Sequence, residues 1–122
     1  MRIENIKFKA KRLDNGEWVK GDLLHSYENG VIIVPTEGGG AFSADLSTVC
    51  QFTGLTDMNG VEVFENDIVK AVDWEEMICN VEYKDYGFCL CSKSFRDGAM
   101  PLFVAVGNCD IYVVGNKFDK EK

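Results

Sequence analysis

The stretch QFTGLTDMNGVEVFENDIV, residues 51–69, decides how the rest of the chain is read. Its first part alternates, with Gln51 and Thr53 on one face and Cys50, Phe52 and Leu55 mostly on the other, and Gly54 reads as a bulge. Asn59-Gly60 marks a tight turn, and VEVFEND returns as a second strand with Val61 and Val63 against Glu62. The chain then bends at Asn66-Asp67 and continues as the strand DIVKAV. An Asp at such a bend caps backbone N–H groups, a device that recurs in small SH3-like barrels where one strand switches sheets. Two readings follow. One is a scaffold hairpin: glycines for the bends, apolar residues for the core, Asp67 as a local cap. The other is a binding surface made by Thr53, Asp57, Asn59, Glu62, Glu65 and Asp67.

Outward from this stretch the pattern stays β. IKFKAKRL, residues 6–13, sets Ile6, Phe8 and Ala10 against Lys7, Lys9 and Lys11, the period of a half-buried strand. Asn15-Gly16 predicts a hairpin with a type I′ turn, and Asn29-Gly30 a second turn ahead of the apolar strand VIIVP. Gly38, Gly39 and Gly40 lead into Ala41 and Phe42 rather than Lys and Ser/Thr ahead of a helix, so they form a mobile loop and not a phosphate cradle. ADLSTV can hold a short helical turn capped by Ser43 or Asp45. MICNVEYK and FCLCSKSF pair across a turn at DYG, and LFVAV and IYVVG, fully apolar, read as two buried strands; the tail NKFDKEK frays. The expectation is a mainly β chain of about nine or ten short strands. Its fold is small and SH3-like or barrel-like, or two abutting antiparallel sheets with little helix. It forms one domain over residues 1–122, or two β subunits of about 1–50 and 51–122. Phe8, Trp18, Ile32, Phe52, Val63, Ile68, Val81, Val104 and Val113 form the expected core.

Charge and cysteine content limit the function classes. The net charge of −7 is uneven: residues 1–24 hold six basic and four acidic groups, whereas residues 25–82 hold eleven acids and the single base Lys70. That acidic middle disfavours direct nucleic-acid binding and suits either a solvated face or a docking surface for a basic protein. Five cysteines, an odd count, argue against a disulfide framework. Cys89 and Cys91 point to one face of a strand, but zinc needs further ligands, and His25 is the only histidine. No cofactor or metal is expected. The start MRIENIKFKAK alternates charged and apolar residues and reads as no signal peptide, so the expected compartment is the cytoplasm. Glu65 and Asp67, two apart at a bend, offer an acid pair for a small hydrolase-like or metal-dependent enzyme. Asp57, Glu65 and Asp67 offer oxygen ligands, though without calcium-loop spacing. No catalytic constellation accompanies them. A third possibility is a DNA mimic whose carboxylates imitate phosphates.

The segment STVCQFTGLTDMNGVEVFENDIV, residues 47–69, resembles the signature of the YopX family, small proteins encoded by bacteriophages and prophages. IKFKAKRLDNGEWVKGDL near the start and IYVVGNKFD near the end agree with it. The chain departs from the family at Cys50 (usually Gly), Phe52 (usually Tyr) and Asn66 (usually Gly). Asn tolerates the left-handed backbone best after Gly, so the bend is kept. The resemblance implies a mainly β fold in a phage or prophage protein of the host cytoplasm; the family supplies no catalytic residues to carry over. The expectation is a non-catalytic accessory protein that binds an unknown host or phage protein and forms homo-oligomers to cover its many strand edges.

Overall fold

A computed structural model describes residues 2–26, 30–73, 76–84, 87–92 and 99–119. Asn29 of the Asn29-Gly30 turn, the centre of the DYG turn and the last residues of the tail lie outside the described residues. The protein is mainly β. It divides into two compact units, Met1–Phe52 and Thr53–Lys122.

The first unit begins with a 3₁₀ turn, Ile3–Asn5, followed by strands β1 (Phe8–Lys11), β2 (Trp18–His25), β3 (Val31–Pro35) and β4 (Phe42–Ala44). A second 3₁₀ turn, Leu46–Thr48, leads into β5 (Cys50–Thr56), along which the chain passes into the second unit. Asp45 caps that turn, its side chain accepting the Ser47 N–H at 3.0 Å, as expected of an Asx cap. The strands run antiparallel in the order β4-β3-β2-β1-β5, extended by β6 (Glu62–Phe64). Beyond β1 the chain also bridges to the outer edge of β4: Arg12 pairs with Ala44, the Leu13 N–H donates to Ser43 O and the Asp45 N–H to Lys11 O. That single bridge shields an edge without a continuous ladder, so no closed barrel results.

The first hairpin differs from expectation. A two-residue type I′ turn needs positive φ at Asn15 and Gly16, but only Gly16 has it (φ 73°). The Gly16 N–H instead reaches Arg12 O and the Arg12 N–H reaches Glu17 O, leaving a four-residue loop, while Asn15 Oδ1 accepts the Glu17 N–H. The core of this unit is Ala10, Val31, Ile33 and Ala44, with Phe8, Val19, Leu23 and Val49 packed around it. Gly21 lies in β2 where a Cβ would collide with the Val34 carbonyl oxygen, so the β2–β3 approach requires glycine.

The second unit contains β7 (Asp67–Val72), β8 (Glu76–Lys84), β9 (Gly87–Cys91), β10 (Ala99–Pro101), α1 (Leu102–Asn108) and β11 (Asp110–Asn116). These strands form an antiparallel sheet in the order β10-β9-β8-β7-β11. One face buries Val69, Ala71, Cys79, Val81, Leu90 and Ile111 together with Val63, Leu102 and Ala105. LFVAV is therefore the first turns of a helix, not a strand. Leu102 and Ala105 are buried, Val106 and Cys109 pack on the same cluster, and Phe103 is 73% exposed; offsets of three, four and seven describe one helical stripe. The helix is only 7 residues long, too short for its period to show against an apolar background.

The expected core is partly displaced by one position. Phe52, Val63 and Val81 are buried, whereas Phe8, Trp18, Ile32, Ile68, Val104 and Val113 are half-buried. In VIIVP it is Val31 and Ile33 that face inward, and in DIVKAV it is Asp67, Val69 and Ala71. A run apolar on both faces carries no period-2 signal, so its inward set is fixed by neighbouring strands.

Candidate functional site

The residues singled out in the 51–69 stretch lie in the second unit and separate into two groups. Asp57 and Asp67 point inward; Thr53, Glu62 and Glu65 are half-buried and Asn59 is exposed.

Asp57 is 8% exposed. Its Oδ1 accepts the N–H groups of Asn59 and Val61 at 2.8 and 2.9 Å, and its Oδ2 accepts the Val113 N–H at 2.8 Å. The turn it governs is closed by Gly60 N–H to Asp57 O and Asp57 N–H to Val61 O, with Gly60 left-handed at φ 78°. This is the three-residue hairpin loop ending in a left-handed glycine. Next to it the Met58 N–H donates to Ile111 O at 3.0 Å. Asp57 and Met58 thus cover the side of β11 that faces away from β7. Burial pushes the Asp57 carboxyl up, but the N–H donors of Val113, Val61 and Asn59 outweigh it and hold the group below the usual carboxylate range.

Asp67 is fully buried at the start of β7. Its Oδ2 accepts the Phe64 N–H and its Oδ1 accepts the Asn116 Nδ2–H, each at 2.8 Å. Asn116 stands opposite it in the β7–β11 register and is itself buried. The bend is made by Asn66 at φ 67°, the only non-glycine residue with positive φ among the described residues, as the exchange of Gly for Asn predicts. Its backbone is fixed at both ends, N–H to Val81 O at 2.7 Å and C=O from Lys117 N–H at 2.9 Å. Thr53 completes the local network: its hydroxyl donates to Val63 O at 2.7 Å and accepts the Leu55 N–H at 3.2 Å.

Outside this scaffold an open depression of about 210 Å³ is lined by Asn66, Asn80, Glu82 and Lys117. Two amides, a carboxylate and an ammonium group on one rim suit contact with polar groups of a partner. Asn80 and Glu82 carry no motif in the sequence, and IYVVGNKFD gives no sign of what Asn116 and Lys117 touch; the β7–β8 and β7–β11 registers and the Lys117 N–H to Asn66 O bond bring them beside the bend. Of the acids offered as a pair, the Asp67 carboxylate is directed at Phe64 and Asn116, away from solvent, and Glu65 is half-buried. Among the described residues no group of three or more His, Cys, Asp and Glu side chains is placed to hold a metal ion.

No disulfide joins the cysteines: Cys50, Cys79 and Cys91 are buried, Cys89 and Cys109 half-buried. Burial pushes the thiols of Cys79, Cys91 and Cys109 up, which lowers the thiolate fraction that nucleophilic or metal-binding chemistry requires. No helix among the described residues is long and apolar enough to cross a membrane.

Comparison with known proteins agrees with the resemblance in the 47–69 segment. No curated protein and no solved structure matches the chain. Residues 7–121 match the family described as YopX protein. Nearly the whole chain is covered, and the protein belongs to the YopX family.

Proposed function

We propose that the chain is a non-catalytic accessory protein of a phage or prophage, active in the host cytoplasm as a protein-binding module that self-associates. The observation that carries this reading is the placement of Asp67. A carboxylate fully buried against the Phe64 N–H and the Asn116 amide serves the backbone bend and is withdrawn from the solvent-facing position that general acid–base work needs. Asn59, Glu62 and Glu65, with the polar rim of Asn66, Asn80, Glu82 and Lys117, are the contact groups, and the surplus of acids in residues 25–82 favours a basic partner.

The test is affinity capture from host lysate with the wild type and with Glu62→Gln/Glu65→Gln/Glu82→Gln. The reading predicts one stoichiometric protein partner, with capture by the variant reduced about tenfold or more at low salt. Equal capture by the variant, or substrate turnover that Glu65→Gln abolishes, overturns it.

A further inference from the structure

On the second unit's sheet, the face away from the Val69, Cys79 and Val81 core carries opposite charges at the two ends of one row. β7 ends at the bend, where Asn66 bonds to both neighbours: its N–H donates to Val81 O of β8, and its carbonyl accepts the Lys117 N–H just beyond β11. Glu82, next along β8, and Lys117 therefore flank Asn66 and line one depression, with β8 and β11 about 9–10 Å apart across β7. Glu82 accepts the neutral Cys91 thiol, and Lys117 lies 5.5 Å from the ring centroid of its neighbour Phe118; neither contact neutralises a charge. Four residues further along β7, Ile78 and Tyr112 flank Lys70 in the same arrangement. Residues directly opposite in a register share a face, and there Ile78 is 60% exposed.

We propose that two copies of the chain pack this face together about a two-fold axis lying along β7. β7 is the middle strand of β8-β7-β11, so such an axis sets β8 of each copy over β11 of the other. Glu82 then meets the other copy's Lys117, and Ile78 the other copy's Tyr112, each contact being made twice. Charge selects a second copy as the occupant. Across these three strands and the residue after β11, the face presents Lys70, Lys84 and Lys117 against Glu76, Glu82 and Asp110, an even balance in a chain of net charge −7. Two like-charged molecules approach with least repulsion through a balanced face, whereas a partner of either single sign meets three groups of its own sign there. Lys70 lies on the axis opposite itself, and Glu76, 3.8 Å away in its own copy, offsets that like charge. The inference rests on the self-association in the proposed function and gives it a surface.

The experiment is sedimentation velocity on the full chain. The wild type sediments at twice 13.6 kDa at micromolar concentration and dissociates more readily as ionic strength rises. Lys117→Glu and Glu82→Lys each weaken the dimer by about tenfold or more, because each sets two like-charged pairs face to face. Mixed in equal amounts, the two variants recover the dimer mass, since the mixed dimer has opposite charges at both contacts; a misfolded chain does not recover in this way. Ile78→Asp, at a position already exposed, weakens the dimer by a similar factor. A wild type that stays monomeric overturns this proposal and self-association together. A dimer indifferent to Lys117→Glu and Glu82→Lys, or a mixture as dissociated as its components, overturns this face alone and leaves self-association through another surface.

Discussion

The Asp57 carboxylate accepts the Val113 N–H at 2.8 Å across 56 positions of the chain. An acid at a hairpin turn thereby occupies a hydrogen-bonding group on the edge of another strand, and the neighbouring Met58 N–H occupies Ile111 O on the same edge. An uncovered edge of an apolar strand invites pairing with other chains; here a turn from the 51–69 stretch covers it.

Removing that carboxylate should therefore be costly. Asp57→Ala leaves the N–H groups of Asn59, Val61 and Val113 without their acceptor, and a loss of about 3 kcal/mol is expected in urea unfolding. Asp57→Asn retains an acceptor oxygen and should lose less. Aggregation of Asp57→Ala at protein concentrations the wild type tolerates is the second expected outcome, read by light scattering.

The same group sets a pH dependence. The folded-state pKa of Asp57 lies below its ordinary value, so the folded protein binds fewer protons than the unfolded chain at this site. Its contribution to stability is present in full above the ordinary carboxylate range and is lost as pH falls through that range toward the lower folded-state value. Stability curves of wild type and Asp57→Asn should converge as pH falls below about 4. A constant gap at all pH values would contradict the assignment.

Asp67 and Asn116 should be coupled. They face each other in the β7–β11 register and share a buried 2.8 Å hydrogen bond. A double-mutant cycle with Asp67→Ala and Asn116→Ala should return an interaction of about 1–3 kcal/mol; additivity within about 0.3 kcal/mol would show that they act independently.

The bend itself should accept glycine and reject β-branched residues. Asn66 has φ 67°, so Asn66→Gly should stay within about 1 kcal/mol of wild type, while Asn66→Val should cost about 2 kcal/mol. Thermal melts of the two variants distinguish these outcomes.

Self-association, part of the proposed function, predicts a sedimentation mass that is a multiple of 13.6 kDa at micromolar concentration. A monomer mass there would remove it.

Much of the fold was legible because period-2 alternation and turn residues act locally. Phe8 to Lys11 reads as a strand from its own side chains, though the alternation from Ile6 overreached, since Ile6 is exposed at the end of the first 3₁₀ turn; the left-handed bend reads from Asn66 standing where glycine is usual. Three features were hidden, each for a physical reason. LFVAV has apolar residues at every position, so neither helical nor strand period shows, and packing of Leu102 and Ala105 decides. Ile32 and Ile68 were placed inward because apolar runs do not declare their register, whereas Val31, Ile33 and Val69 occupy those positions. The cap that Asp67 places on the Phe64 N–H was legible at the bend, but the bonds of Asp57 to Val113 and of Asp67 to Asn116 reach 56 and 49 residues along the chain. An acid that caps a remote backbone group and an acid that faces water look alike in the sequence.

The central claim is that the aspartates of the 51–69 stretch build the scaffold while its glutamates are left for contact. The measurement that tests it most directly is the unfolding free energy in urea of Asp67→Ala beside Glu65→Ala. Asp67→Ala removes the buried acceptor of Phe64 and Asn116 and is predicted to lose about 3 kcal/mol, whereas Glu65→Ala, half-buried two residues earlier, is predicted to lose no more than about 1 kcal/mol. Equal losses, or a larger loss from Glu65→Ala, would contradict it.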